Sequence, residues 1–319
     1  MKNSIEQQFG MVDIGAINKE EKADEKTVNL ELVHQLKEEI DKKVAGRSLE
    51  NLTQDELDAV LVKYQNIEKA LGITEKKIEN PIITTTTSEG ERVELNIEQT
   101  LSHYKELFNN LNLTEWTNDL PETIELTEDQ INEIKEQVEK HGFNRIRIMP
   151  SVEIQNSSLR KLAEETHKPI EGLEESEQYA YEGLWLSSTV ESKFPNKIKN
   201  INRPEGCYIQ LYKDNKEVPN ETLYKTYPEA RQYQKENNLQ GYTLAEYLIF
   251  QREFTKENKN HPDHENLTWL TDSEIGDSTS SRVLNSSWFI SGRRLDVNSD
   301  GSDAHGGLLG FRSSAVFEI

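Results

Sequence analysis

The chain has 319 residues, 34% hydrophobic and 30% charged, with a formal net charge of −21. A surface this acidic repels phosphate backbones and anionic membrane faces, which excludes nucleic acid as an expected partner and steers basic or neutral ones inward. No stretch approaches the ~20 apolar residues that cross a bilayer, so no membrane span is expected.

The N-terminus lacks an apolar core of signal-peptide length, and the single Cys207 allows neither an internal disulfide nor a cysteine-based zinc site. The chain therefore reads as cytoplasmic, with non-Sec display or association with a virus particle left open.

Residues 1–27 are charged, lack apolar periodicity and read as a disordered tail. Residues 28–135 read as a helical region. In LELVHQLKEEIDKKVAG, Val33, Leu36, Ile40 and Val44 recur at helical spacing and Gly46 follows as a stop. In LTQDELDAVLVKYQNIEKALG, Thr53 and Glu56 have capping-box spacing, and Leu57, Val60, Leu61, Tyr64, Ile67 and Leu71 make one stripe. Such a pair forms a hairpin, its stripe serving internal packing or, alternatively, a homo-oligomer seam.

ITTTTSEGERVEL suggests a small hairpin or linker. IEQTLSHYKELFNNL is helical, and Thr127 with Gln130 opens a further helix that ends at His141-Gly142. From about residue 140 the pattern turns mixed. FNRIRIMP, YEGLWLSS and GCYIQLY read as strands, and SSLRKLAEETHK as a helix. TYPEARQYQKENN and YTLAEYLIFQREFTKEN read as helices, the second packing Leu244, Tyr247, Leu248, Phe250 and Phe254 inward. NLTWLTD, VLNSSWFISGRRLDVNSDG and GFRSSAVFEI supply short strands joined by Gly, Ser, Asn and Asp. The expectation is α+β: an N-terminal helical region followed by an α+β domain over 140–319.

Motifs that carry chemistry are few. Asp296-x-Asn298-x-Asp300-Gly301 matches the first half of a calcium loop, with Asp303 a further oxygen nearby. Position 12 of such a loop would be Gly307, which offers no side-chain oxygen, so a polar turn is the plainer reading. His261-Pro-Asp-His264 has metal-like spacing but no further ligand, and reads as a solvated loop. Cys207 lies in an apparent strand with no local nucleophile signature. No phosphate loop, dinucleotide fingerprint or nucleophile elbow is present, so neither enzyme activity nor a cofactor is expected.

Composition shifts abruptly near the end. Lys, Glu, Gln and Met crowd residues 1–280, yet none falls between Ser281 and Phe317. Strands and turns disfavour those residues. A genetic cause gives the same pattern: randomising the adenines of Asn codons leaves a pyrimidine third base, and such codons never encode Lys, Glu, Gln, Met or Trp. Trp288 would then be a fixed scaffold residue.

Ser281-Arg282-Val283, Trp288, Gly292-Arg293-Arg294-Leu295-x-Val297-Asn298, Asp303 and Leu309-Gly310-Phe311-Arg312 together resemble the variable region of target proteins of diversity-generating retroelements. The resemblance covers about 241–319, loosely back to 140, with the variable segment at about 281–317. It implies a C-type-lectin-type fold, also used by formylglycine-generating-type enzymes, whose cysteine pair cannot be built from Cys207 alone. It further implies a non-catalytic module that binds a ligand, a protein by expectation, through side chains that change while the core stays fixed.

On that resemblance, Trp288, Leu295, Val297, Leu309, Gly310, Phe311 and Arg312 belong to the scaffold, Gly292 and Gly310 allowing turns or close approach and Arg312 making a buried pair. Phe289, Ile290, Ser291, Asp296, Asn298, Asp300, Gly301, His305, Gly306 and Leu308 form the binding face. The calcium-lectin sugar motifs are absent, so carbohydrate binding does not follow. The alternatives are a structural or assembly protein of a phage or cell-envelope element, working through its helical half, and a calcium-stabilised binding domain.

Overall fold

The computed structural model describes residues 77–170, 173, 184–275, 282–289, 291, 293–304 and 308–319. The expected tail and the two helices between residues 30 and 72 lie outside the described residues. What is described is mixed α+β and belongs to one compact unit, Lys76–Ile319.

The chain enters through β1 (Lys77–Glu79), which pairs antiparallel with β4 (Glu125–Thr127). β2 (Ile82–Thr86) and β3 (Arg92–Asn96) form a hairpin; Gly90 near its turn has a φ of +85°, where a side chain would be strained. Alternation decides which side of β2 is covered: Ile83 and Thr85 are buried while Ile82, Thr84 and Thr86 are exposed. Asn96 then caps α1 (Ile97–Asn110), its side chain accepting from the Gln99 amide. After α2 (Thr114–Asp119), Thr127 and Gln130 form a reciprocal capping box on α3 (Glu128–His141), which ends at left-handed Gly142.

One hydrophobic core runs from Ile83, Phe108 and Ile134 through Leu211 and Phe250 to Leu295 and Phe317. The boundary expected at 135–140 is therefore corrected. Residues 77–135 are not a separate helical region, because they contribute four strands and fill the same core. The apolar stripe of α3 (Ile131, Ile134 and Val138) packs on β2 and β4 and belongs to the same core as Ile148, Leu211 and Phe317 of the elements that follow.

β5 (Arg145–Met149) leads into α4 (Val152–Ser157), α5 (Leu159–Thr166), β6 (Leu184–Leu186), α6 (Ser188–Glu191), β7 (Ile198–Asn200) and β8 (Tyr208–Tyr212). Then come α7 (Tyr227–Glu236), β9 (Gln240–Gly241) and α8 (Leu244–Asn258). The chain ends in β10 (Leu267–Ile275), β11 (Arg282–Phe289), β12 (Arg294–Gly301), β13 (Leu309–Phe311) and β14 (Ser313–Glu318). One sheet has the order β5-β8-β14-β9. The other runs β13-β10-β11-β12-β6, with β7 on the far end of β10.

α8 buries Leu244, Tyr247, Leu248, Phe250 and Phe254 as its spacing indicates, but it also buries Glu246, Gln251 and Thr255. A helix covered on all sides must satisfy every polar group it carries. Glu246 takes a two-pronged contact from Arg203 at 2.6 Å on each oxygen, with Tyr208 donating at 2.6 Å and the Thr243 amide at 2.9 Å. Asp272 accepts from Arg203, Arg231, Asn202 and the Gly241 amide.

Candidate functional site

The C-terminal sheet sorts its residues by pleat. β11 and β12 pair antiparallel in unbroken register from Arg282↔Gly301 to Phe289↔Arg294. Trp288, Leu295 and Val297 point into the core and are buried, whereas Arg294, Asp296, Asn298 and Asp300 lie on the other side of β12 and are partly exposed. Opposite them stand Phe289, Ser287, Asn285 and Val283. β6 adds to the edge of β12 in parallel, setting Trp185 beside Asp296.

At one end of this row, Arg294 is held between two exposed aromatics. Its guanidinium carbon lies 4.9 Å from the Trp185 ring centre and 5.2 Å from that of Phe289. Its Nε donates to Asp296 Oδ1 at 2.7 Å. Trp185 is 38% and Phe289 43% exposed. Stacking against two rings and pairing with a carboxylate fix a cation in place while leaving its terminal nitrogens for a ligand.

Further along, the Asn285 Nδ2 donates to Asp300 Oδ2 at 2.7 Å. Asn285 is fully buried, and among the described residues its Oδ1 meets no donor. An unpaired buried acceptor of this kind costs about 1–3 kcal/mol.

Behind the face, Asp263 gathers the scaffold. Arg312 donates to it at 2.6 Å from Nη2 and 3.3 Å from Nε, and Tyr247 and Thr268 each donate at 2.7 Å. Its own carbonyl receives the Trp288 amide at 3.0 Å, tying β11 to the node. The Arg312 guanidinium also covers the Phe250 ring at 4.6 Å. His261 stacks flat on Trp288, ring centres 3.3 Å apart, and bonds Thr255 Oγ1 through Nδ1 at 2.9 Å. The segment His261–His264, read from sequence as a solvated loop, is therefore corrected: His261 and Asp263 are fully buried because Trp288 and Arg312 need a flat cover and a counter-charge.

Of the binding-face residues expected from sequence, Phe289, Ser291, Asp296, Asn298, Asp300, Gly301 and Leu308 are partly or well exposed, Leu308 at 54%. Asp296, Asn298 and Asp300 share one strand face with Phe289. Leu308 lies apart, beyond β10, where its carbonyl accepts from the Leu267 amide. Ile290, His305 and Gly306, and Gly292 of the scaffold, lie outside the described residues.

Leu309, Phe311 and Arg312 are buried, and Gly310 is closely approached: a Cβ there would come 2.8 Å from Val218 Cγ2. Two partners were missed. Trp185 was legible as the odd member of Leu184-Trp185-Leu186, whose alternation turns it away from its neighbours. Asn285 carried no such signal, because its burial depends on the neighbouring strands.

The calcium reading is corrected by geometry. Asp296, Asn298 and Asp300 sit on an extended strand, about 7 Å apart at successive same-side positions, instead of wrapping one centre. Asp296 is also engaged by Arg294. Among the described residues no group of three or more His, Cys, Asp or Glu could hold a metal.

Cys207 precedes β8 and donates from Sγ to the Asp119 carbonyl at 3.0 Å. Burial and the Asp119 carboxylate push its thiol up to about 12, far from a thiolate nucleophile. No helix among the described residues is long and apolar enough to cross a membrane. Compared with protein-family models, curated proteins and solved structures, the chain matches none.

Proposed function

We propose that the chain is a non-catalytic, protein-binding module. In this reading a C-type-lectin-type scaffold presents the outward row of β11 and β12, with Trp185 and Leu308, to a protein ligand, and a retroelement diversifies the codons of the terminal segment. The protein is made in the cytoplasm.

The observation that carries the reading is the division of labour inside one segment. Trp288, Leu295, Val297, Phe311 and Arg312 are buried, while Phe289, Ser291, Asp296, Asn298, Asp300 and Leu308 between them reach the surface. A segment built this way can exchange surface side chains without disturbing its core. Exposed aromatics set among Ser, Asn and Asp also suit a paratope, where rings anchor and small polar groups adapt. The buried carboxylates of Glu246, Asp263 and Asp272 are bound by arginines, which favours a structural role for them over acid–base work.

Panning a random-peptide phage library on the full-length chain tests the proposal. Binders are expected that lose at least tenfold in affinity on Phe289→Ala or Leu308→Ala, while neither change costs more than about 1 kcal/mol of stability. Binders indifferent to every outward position, or large stability losses at those positions, would contradict it.

A further inference from the structure

Within that face, we propose that Asn285, Asn298 and Asp300 form a subsite for a lysine ammonium of the protein partner, an inference that rests on the protein-binding reading above. Asn285 and Asn298 are directly opposed in the β11–β12 register, so both side chains rise from the same side of the sheet. Asp300 lies one same-side position further along β12, and its Oδ2 receives the Asn285 Nδ2 at 2.7 Å. The Asn285 Oδ1 shares its carboxamide carbon with the Nδ2 that touches Asp300. It is buried and, among the described residues, has no donor of its own.

The two carboxylates of the row differ. Asp296 is neutralised by Arg294 at 2.7 Å. Among the described residues no cation pairs with Asp300, so a negative charge stands uncompensated beside an acceptor that lacks a proton. An arriving ammonium brings both missing things. Its three donors can meet the Asp300 carboxylate, the Asn298 carbonyl oxygen and the Asn285 Oδ1 together. A guanidinium fits less well, because its planar fork seeks two free carboxylate oxygens and Asp300 Oδ2 is already engaged. The net charge of −21 draws such a cation toward the chain from a distance.

The peptide binders selected on the full-length chain provide the test, restricted to those that depend on Phe289. They are expected to be enriched in lysine. Their affinity should fall at least tenfold on Asp300→Asn, on Asn285→Leu and on replacing the peptide lysine with glutamine. Asn285→Leu removes the orphan acceptor but carries bulkier methyls into a buried position. The change at the partly exposed Asp300 should leave the melting temperature nearly unchanged, and this separates lost binding from lost folding. Phe289-dependent binders without lysine enrichment, or unmoved by Asp300→Asn, overturn the subsite and leave the protein-binding reading standing. If no selected binder depends on Phe289 the subsite falls, and if none depends on any outward position the protein-binding reading falls with it.

Discussion

Asp263 adopts a φ of 55°, a left-handed conformation that Asp tolerates better than most residues, and from it accepts Arg312, Tyr247 and Thr268. Arg312 is 3% exposed and has no other carboxylate within ion-pair distance among the described residues. Removing one partner of a buried pair leaves an uncompensated charge and typically costs about 3–5 kcal/mol. Asp263→Asn keeps the shape and the backbone preference, so its cost isolates the charge. A loss of about 3 kcal/mol in denaturant midpoint analysis is expected, several times that of Phe289→Ala.

His167 sets a pH dependence at the same scale. Burial pushes its imidazole down to about 4, against the opposing pull of the Ala163 carbonyl it bonds at 2.6 Å, with the nearby Arg252 charge lowering it further. The unfolded chain takes up this proton near pH 6.5, while the folded chain resists until about 4. Stability should therefore decline as pH falls from about 6.5 to about 4, and His167→Gln should flatten that decline. Below about 4.3 a second loss begins. Burial raises the Glu246 and Glu253 carboxyls, but Arg203 for the first and His103 with Arg147 for the second more than offset it and hold both below the usual range. A depressed carboxylate stabilises the fold above its unfolded value and loses that contribution as pH falls through the folded one. Urea titrations from pH 8 to 3 on the parent and His167→Gln would resolve the two steps.

At the scale of elements, the two faces of β12 make a direct comparison. Leu295 is fully buried and Asn298 lies on the opposite face, three positions along the same strand. Leu295→Ala should cost about 2–5 kcal/mol and Asn298→Ala under about 1. Similar losses at both would mean that the outward face is itself core.

The elements themselves were largely legible, because their signals are local. The Thr127–Gln130 capping box, the stop at Gly142, and the alternating Leu295, Val297 against Asp296, Asn298 are written within a few residues. What could not be read are features made by distant parts. Asp263 looked solvated because its partners Arg312 and Trp288 lie 49 and 25 positions away. The boundary near residue 140 looked real because the helices on both sides are locally self-consistent, and only the shared core joins them. Binding-face positions followed from alternation, whereas Trp185 comes from a strand about a hundred residues upstream.

For the whole molecule, the described residues form one large core and a smaller cluster of Ala230, Trp269, Val283, Leu309 and Phe311, and the C-terminal strands between them hold both the fixed and the exchangeable parts of the proposed binder. The chemistry of the face matches the chain at large. Carboxylates outnumber cations in the sequence, 58 Asp and Glu against 37 Lys and Arg, and the open end of the β12 row is likewise anionic at Asp300. Partner encounter should accordingly slow as ionic strength rises.

The most direct measurement is to sequence the DNA beyond the gene's 3′ end. The expected result is a second, near-identical copy of the codons for about 281–317, beside a reverse-transcriptase gene. The two copies should differ only where the second has adenine, and the differing codons should fall on Phe289, Asp296, Asn298, Asp300 and their outward neighbours while sparing Trp288, Leu295, Val297 and Phe311. A 3′ region without such a copy, or differences concentrated at the buried positions, would contradict a diversified binding face.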